Sequence, residues 1–227
     1  MMSVLDGKTA LVTSANEYMG PAIAELFAAE GADVTRDTGC FYTETELAHL
    51  LHAGVPDILV ANLAEPPRTA SVDSIANEDW EILFDKLVHP LMRLVRAVAG
   101  PMKNRGYGKI IAITSAAPLR GIPHAAGYCA ARGAQNGFLR AVGLELAKYN
   151  VQVNAIAQNY VRNNTYYPDD ILEREAFSRH LNSVVPTKRV AQSCETAQLA
   201  LYLAGPHSTH MVGQILPFAG GWTTTTG

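Results

Sequence analysis

Thr9-Ala10-Leu11-Val12-Thr13-Ser14-Ala15-Asn16-Glu17-Tyr18-Met19-Gly20-Pro21 reads as a buried strand, a short turn and the start of a helix. The apolar run 9–13 has the length and β-branched content of a strand. Pro21 stands at a favoured first-turn position and Gly31 lies just past the end, which predicts a helix over 21–30. Working outward, the pattern repeats. Residues 33–35 form a short second strand and 43–52 a helix, and 57–62 is again a strand. A cap at Asn77 or Asp79 opens a long helix through Trp80 towards Met102, with a kink expected at Pro90. Strand 108–114, helix 127–149, strand 151–156, helix 195–204 and strand 214–218 complete the chain. Strands alternating with helices predict a parallel sheet covered on both faces. The expected fold is therefore α/β, a Rossmann-like doubly wound sheet forming one domain over residues 1–227. Residues 161–187 show no strong period and are rich in Asn, Tyr, Asp and Glu, so they read as a long loop that shapes a site.

Composition narrows the function classes. A chain of 227 residues is long enough for one well-buried core. Its net charge of −3, with mixed signs, gives no basic surface for nucleic acid or acidic lipid. No run is long and apolar enough for a signal peptide or a bilayer span. Cys40, Cys129 and Cys194 are scattered and odd in number, which argues against a disulfide framework or a zinc site and fits a cytoplasmic protein. His207 and His210 flank a turn with no carboxylate or cysteine to complete a metal set, so no metal is expected. His89 reads as a packing residue and His124 as part of a solvated loop.

Three side chains carry chemistry. Ser115 follows a predicted strand, Tyr128 lies thirteen residues on, and Arg132 four beyond that. On a helix, i and i+4 share a face, which brings a phenol and a fixed cation to one point. The pattern resembles the Ser…Tyr-x-x-x-Lys signature of the short-chain dehydrogenase/reductase superfamily, with arginine in the place of lysine. In those enzymes the lysine also holds the nicotinamide ribose. Their first turn reads Thr-Gly-x-x-x-Gly-x-Gly, the glycines letting backbone approach a pyrophosphate. Thr13–Gly20 keeps only the last glycine, with Ser14 and Tyr18 in the other two places and Glu17 adding negative charge. The family's proton-relay asparagine is also missing, its place falling near Leu87.

Together these departures resemble the halohydrin dehalogenases. The resemblance covers essentially the whole chain and is carried by four segments: the aromatic in Thr13–Gly20, Ile113-Thr114-Ser115-Ala116-Ala117-Pro118, Tyr128…Arg132, and Ile156-Ala157-Gln158-Asn159-Tyr160. It implies closure of vicinal halohydrins to epoxides without cofactor, releasing halide and a proton, and reverse opening of epoxides by azide, cyanide or nitrite. It implies Ser115, Tyr128 and Arg132 as the catalytic set. Tyr18, Gln158, Asn159, Tyr160 and Val161 would form the halide pocket, and Ala117, Pro118 and Leu119 the substrate pocket. It also implies a homotetramer, with the helices over 80–102 and 127–149 as interface surfaces.

The residues support that chemistry on their own terms. Free tyrosine, with a pKa of roughly 10, is a poor base at neutral pH. A permanent cation within about 4–6 Å favours the phenolate, and arginine cannot surrender its charge. Tyr128 is thus the expected general base and Ser115 the group that orients the substrate oxygen. Aromatic edges and turn N–H groups suit a departing anion. Two alternatives stay open: an atypical NAD(P)-dependent reductase, and a non-catalytic dinucleotide-fold regulator. Trp222, after Gly220-Gly221, is read as a cap on a subunit contact or neighbouring site, or as plain surface packing.

Overall fold

β4 (Gly108–Ser115) and β5 (Val151–Gln158) are buried along their whole length and pair in parallel from Gly108↔Val151 to Ser115↔Gln158. Around them a computed structural model, which describes residues 3–224, shows a six-stranded parallel sheet. The other strands are β1 (Thr9–Val12), β2 (Asp33–Arg36), β3 (Ile58–Asn62) and β6 (Ile215–Phe218), and the order is β2-β1-β3-β4-β5-β6. The run Ile110-Ile111-Ala112-Ile113 explains the central strand: its side chains alternate into two apolar layers. One layer lies under α1 (Gly20–Ala29) and α9 (Ser193–Ala204), the other under α4 (His89–Arg105) and α6 (Ala126–Leu146). Continuous burial on both faces is what a parallel sheet requires. The chain steps from β1 out to β2, then returns to β3 on the other side of β1. That reversal opens a crevice at the carboxyl ends of the strands.

The helices refine the expected boundaries. α2 (Glu44–Leu50) starts at a capping box: Thr43 N–H donates to Glu46 Oε2 at 2.6 Å, and Glu46 N–H returns to Thr43 Oγ1 at 3.4 Å. The long helix expected through Trp80 is broken in two. α3 (Asn77–Leu83) is followed by a five-residue π-helical turn, Phe84–Val88, before α4 begins. Pro90 has no N–H to return to the preceding turn, and the wider turn absorbs that mismatch. Neither Asn77 nor Asp79 caps α3; Ala76 holds the cap position without a side-chain bond. Residues 161–187 are not a plain loop. They contain α7 (Asp169–Leu172) and α8 (Glu175–Val184), which completes the count with α5 (Ala117–Arg120). Phe177, Leu181 and Val184 recur at helical spacing and pack with Tyr160 and Trp222 in a small apolar cluster.

Two features of the frame have measurable consequences. Gly20 opens α1 where a Cβ would collide with the Ser14 carbonyl oxygen and lie 2.7 Å from Ala15 Cα. Both are backbone atoms, so no rotamer change relieves the clash. Gly20→Ala is expected to cost about 1–3 kcal/mol, read as a Tm drop of about 2–4 °C per kcal/mol in a thermal melt. Lys109, in β4, is 1% exposed and donates to Ser208 Oγ at 3.0 Å. Burial pushes its amine down to about 8. The folded chain releases this proton near pH 8, whereas the unfolded chain holds it to about 10.5. Stability therefore rises with pH across that window. Lys109→Met should flatten the rise, as read from urea midpoints on either side of pH 8.

Candidate active site

Ser115 ends β4 at the crevice, and Tyr128 and Arg132 follow on the first turns of α6. The Ser115 Oγ accepts the Ala117 N–H at 3.1 Å, which leaves its own hydrogen free for a ligand. Arg132 is fully buried. Its five N–H groups meet five acceptors. Nε donates to the Tyr128 hydroxyl at 3.2 Å. Nη1 donates to Gln135 Oε1 at 2.9 Å and Ile113 O at 3.4 Å. Nη2 donates to the Tyr166 hydroxyl at 2.8 Å and Leu63 O at 3.1 Å. Every acceptor is neutral when the phenols are protonated, and no carboxylate among the described residues pairs with the guanidinium. Burial works against the charge, but the surrounding phenols of Tyr128, Tyr166 and Tyr18 outweigh it and hold the proton on Arg132.

A cavity of about 140 Å³ opens beside these groups. Cavities of about 150 Å³ admit molecules the size of benzene. Ser115 and Tyr128 line it, and so do Tyr18, Gln158, Asn159, Tyr160 and Val161. Of the expected substrate wall, Ala117 lines the cavity but Pro118 and Leu119 do not. The short α5 turns them away: Pro118 faces Gly133 of α6, and Leu119 packs into the core layer under α6. Ile122, Ala125, Pro67 and Thr69 stand in their place.

Five tyrosines line the cavity; three donate to fixed acceptors and a fourth, Tyr160, pairs with a histidine. Tyr18 donates to Thr114 O at 3.3 Å, Tyr166 to Glu65 O at 2.9 Å, and Tyr167 to Asn159 Oδ1 at 2.7 Å. The Tyr160 hydroxyl lies 3.1 Å from His180 Nε2. Burial raises all four above the usual phenol range; for Tyr18 and Tyr166 the nearby Arg132 opposes this without cancelling it. Tyr128 accepts from Arg132, has the Tyr166 hydroxyl as its neighbour, and among the described residues gives its proton to no backbone carbonyl.

The loop between β1 and α1 has the backbone of a glycine turn without the glycines. Ser14 and Tyr18 sit at φ 44° and 55°, in the left-handed region that favours glycine. Five of its amides are spent inside the protein. Ala15 N–H donates to Asp37 O, Glu17 to Ser14 O, Tyr18 to Asn164 Oδ1, Met19 to Asn62 Oδ1, and Gly20 to Glu17 O. With those donors engaged and the Tyr18 ring in the cavity wall, the residues present do not fit a dinucleotide's pyrophosphate. On the far loop, Asn159 N–H donates to Phe218 O and Tyr160 N–H to Asn159 Oδ1. Val161 N–H has no partner among the described residues and is the amide there available to an anion.

Sequence reasoning missed Tyr166, Tyr167 and Gln135. The Tyr-rich character of 161–187 marked the right stretch, since Tyr166 and Tyr167 both line the cavity. Gln135 gave no signal, being a polar residue on a helix face. Leu87, in the place of the missing relay asparagine, is buried, and its carbonyl accepts Gln135 Nε2 at 2.7 Å. No group of three or more His, Cys, Asp or Glu among the described residues could hold a metal, and no helix among them is long and apolar enough to cross a membrane.

Comparison with known proteins gives two kinds of relative. The model of a family described as Enoyl-(Acyl carrier protein) reductase matches residues 33–223. A 3-oxoacyl-[acyl-carrier-protein] reductase of Chlamydia trachomatis is 28% identical, with 97% of this chain and 99% of that protein covered. Among solved structures, a protein titled "Dehalogenation enzyme" superposes with a TM-score of 0.88 at 28% identity, over 97% of this chain and 100% of its own. A halohydrin dehalogenase bound to ethyl (2S)-oxiran-2-ylacetate gives 0.87 at 27% identity, over 96% and 98%.

Proposed function

Because this chain belongs to the short-chain dehydrogenase/reductase family yet has filled the nucleotide turn, we propose that it is a cofactor-independent halohydrin dehalogenase. Its substrates are small vicinal halohydrins and its products epoxides, halide and a proton. The observation that carries the reading is Tyr128: a cavity phenol whose proton is tied to no backbone carbonyl, its oxygen held by a buried cation at 3.2 Å. Likeness to a halohydrin dehalogenase that holds an oxirane supports it.

In the proposed step Ser115 Oγ donates to the substrate oxygen while Tyr128, as phenolate, takes the hydroxyl proton. Arg132 stabilises the negative charge on Tyr128 before the transfer. The substrate oxygen then forms a bond to the neighbouring carbon as the carbon–halogen bond breaks. The bonding pair leaves with the halide, and the proton passes from Tyr128 to solvent. Oxidation states balance without a hydride, so no nicotinamide takes part. Backside displacement sends the halide away from Ser115 and Tyr128. Tyr18, Gln158, Asn159, Tyr160 and Val161 are assigned to receive it, with the Val161 N–H as one donor. Run backwards, the same groups would open epoxides with azide, cyanide or nitrite. A cytoplasmic homotetramer belongs to the same reading, with the outward faces of α4 and α6 at the contacts.

The test is to incubate the protein with 1,3-dichloro-2-propanol, without nucleotide, and follow halide release and acidification. Steady release of halide with one proton each is expected; no release from the wild type overturns the assignment. The 3-oxoacyl reductase relative favours a second reading, an atypical NAD(P)-dependent reductase. That reading requires a thermal shift on adding NAD(P)H, which the halohydrin dehalogenase reading forbids.

A further inference from the structure

Arg132 poses a physical problem that the three catalytic assignments leave unsolved. A buried guanidinium without a counter-charge is costly, even when each N–H is bonded. The groups facing it come from every packed element. The loop after β1 offers Tyr18, and the segment after β3 offers Leu63 O. Glu65 is near in sequence, but its carboxylate is turned to Arg68 at 2.6 Å. β4 offers Ile113 O, residues 163–167 offer Tyr166, and α6 offers Tyr128 and Gln135. In the π-helical turn, Asp85 pairs with His89 at 3.0 Å and Lys86 lies over Phe41, so neither charge addresses Arg132. Tyr18 and Tyr166 cannot ionise cheaply, because each donates its proton to a carbonyl that would then face a phenolate.

Gln135 is the side chain that makes this cage both tight and neutral. It is 1% exposed and lies outside the cavity wall. Its Oε1 accepts from Arg132 Nη1 at 2.9 Å, and its Nε2 donates to Leu87 O at 2.7 Å, in the π-helical turn. A glutamate would fill the same space and supply the missing negative charge. We propose that Gln135 is a positioning residue that anchors Arg132 to the π-helical turn while leaving its charge unbalanced, so that the balancing charge forms on Tyr128. The amide, with one acceptor and one donor face in use, does what neither a carboxylate nor an apolar side chain can. This inference rests on Tyr128 as the proposed base.

The experiment compares wild type, Gln135→Glu, Gln135→Met and Tyr128→Phe by two readouts. One is the pH–rate profile of halide release. The other is the ultraviolet titration of tyrosinate, which needs no substrate. In Gln135→Glu the rising limb should move up by about one pH unit or more, with kcat at neutral pH down about tenfold and KM little changed. The tyrosinate step that Tyr128→Phe removes should move by the same amount. Gln135→Met should lower kcat at unchanged KM without moving the limb upward, because it loosens the guanidinium and adds no charge. A merely structural residue would lower thermal stability in both variants and leave the profile alone. Wild-type midpoints in Gln135→Glu, in both readouts, overturn the proposal. If Gln135→Glu does not fold, an unchanged kcat in Gln135→Met overturns it instead. If wild type releases no halide, the function assignment fails, and the tyrosinate titration decides the role of Gln135 alone.

Discussion

Tyr128→Phe is expected to reduce nucleotide-independent halide release by about 10²–10⁴-fold, the usual contribution of a positioned acid–base group. The phenyl ring keeps its place, because the guanidinium also lies over that ring, 5.3 Å from its centroid. What disappears is the proton acceptor and one partner of Arg132 Nε. The second loss leaves a buried donor unsatisfied, at about 1–3 kcal/mol, so a melting shift of about 2–4 °C per kcal/mol accompanies the kinetic one. The two effects are separable: a small drop in Tm cannot account for a thousandfold drop in rate at a temperature where the variant is folded. Equal release from the variant and wild type would remove Tyr128 from the chemistry.

Arg132→Lys should be the most damaging exchange that keeps the charge. Lysine has three donors and arginine five. The five acceptors of Arg132 come from α6, β4, the segment after β3 and residues 163–167, converging from different directions. At least two of them would lose their donor, at about 1–3 kcal/mol each. Halide release should fall at least about 100-fold as the bond to Tyr128 is lost, and Tm should fall by roughly 5–20 °C. A lysine variant that keeps both the melting temperature and the rate would show that the fan of hydrogen bonds does not hold the site together. Lysine at this place should also not by itself produce a reductase, because the amides of the turn after β1 stay engaged.

The sheet was readable from the residues because its pattern is local. Ile110-Ile111-Ala112-Ile113 is apolar on both faces, and only a strand covered twice uses such a run. Tyr128 and Arg132 were readable for a similar reason, since one helical turn fixes their relation. The failures lie where the cause is distant or masked. Leu63 and Tyr166 meet Arg132 across 69 and 34 residues of chain, and no local spacing announces such a meeting. The π-helical turn depends on how Pro90 is accommodated against the layer beneath it, not on a residue type of its own. α8 is hidden in the sequence because Glu173, Arg174, Glu175 and Arg179 obscure the stripe of Phe177, Leu181 and Val184. Gln158, Asn159, Tyr160 and Val161 on the far loop line the cavity. At Ala117, Pro118 and Leu119 one short helix sends neighbours in sequence to different surroundings, and only Ala117 meets the cavity.

The turn between β1 and α1 makes a dinucleotide seat hard to build in this chain. Glycine at positions 14 and 18, in place of Ser14 and Tyr18, would relax two strained φ angles, at about 1–2 kcal/mol each. It would free none of the amides now tied to Asn164, Asn62 and their neighbours. An engineer seeking to install redox chemistry would first have to untie this knot on three segments at once. No single-residue change lies on a downhill path to that end, so the present architecture acts as a ratchet.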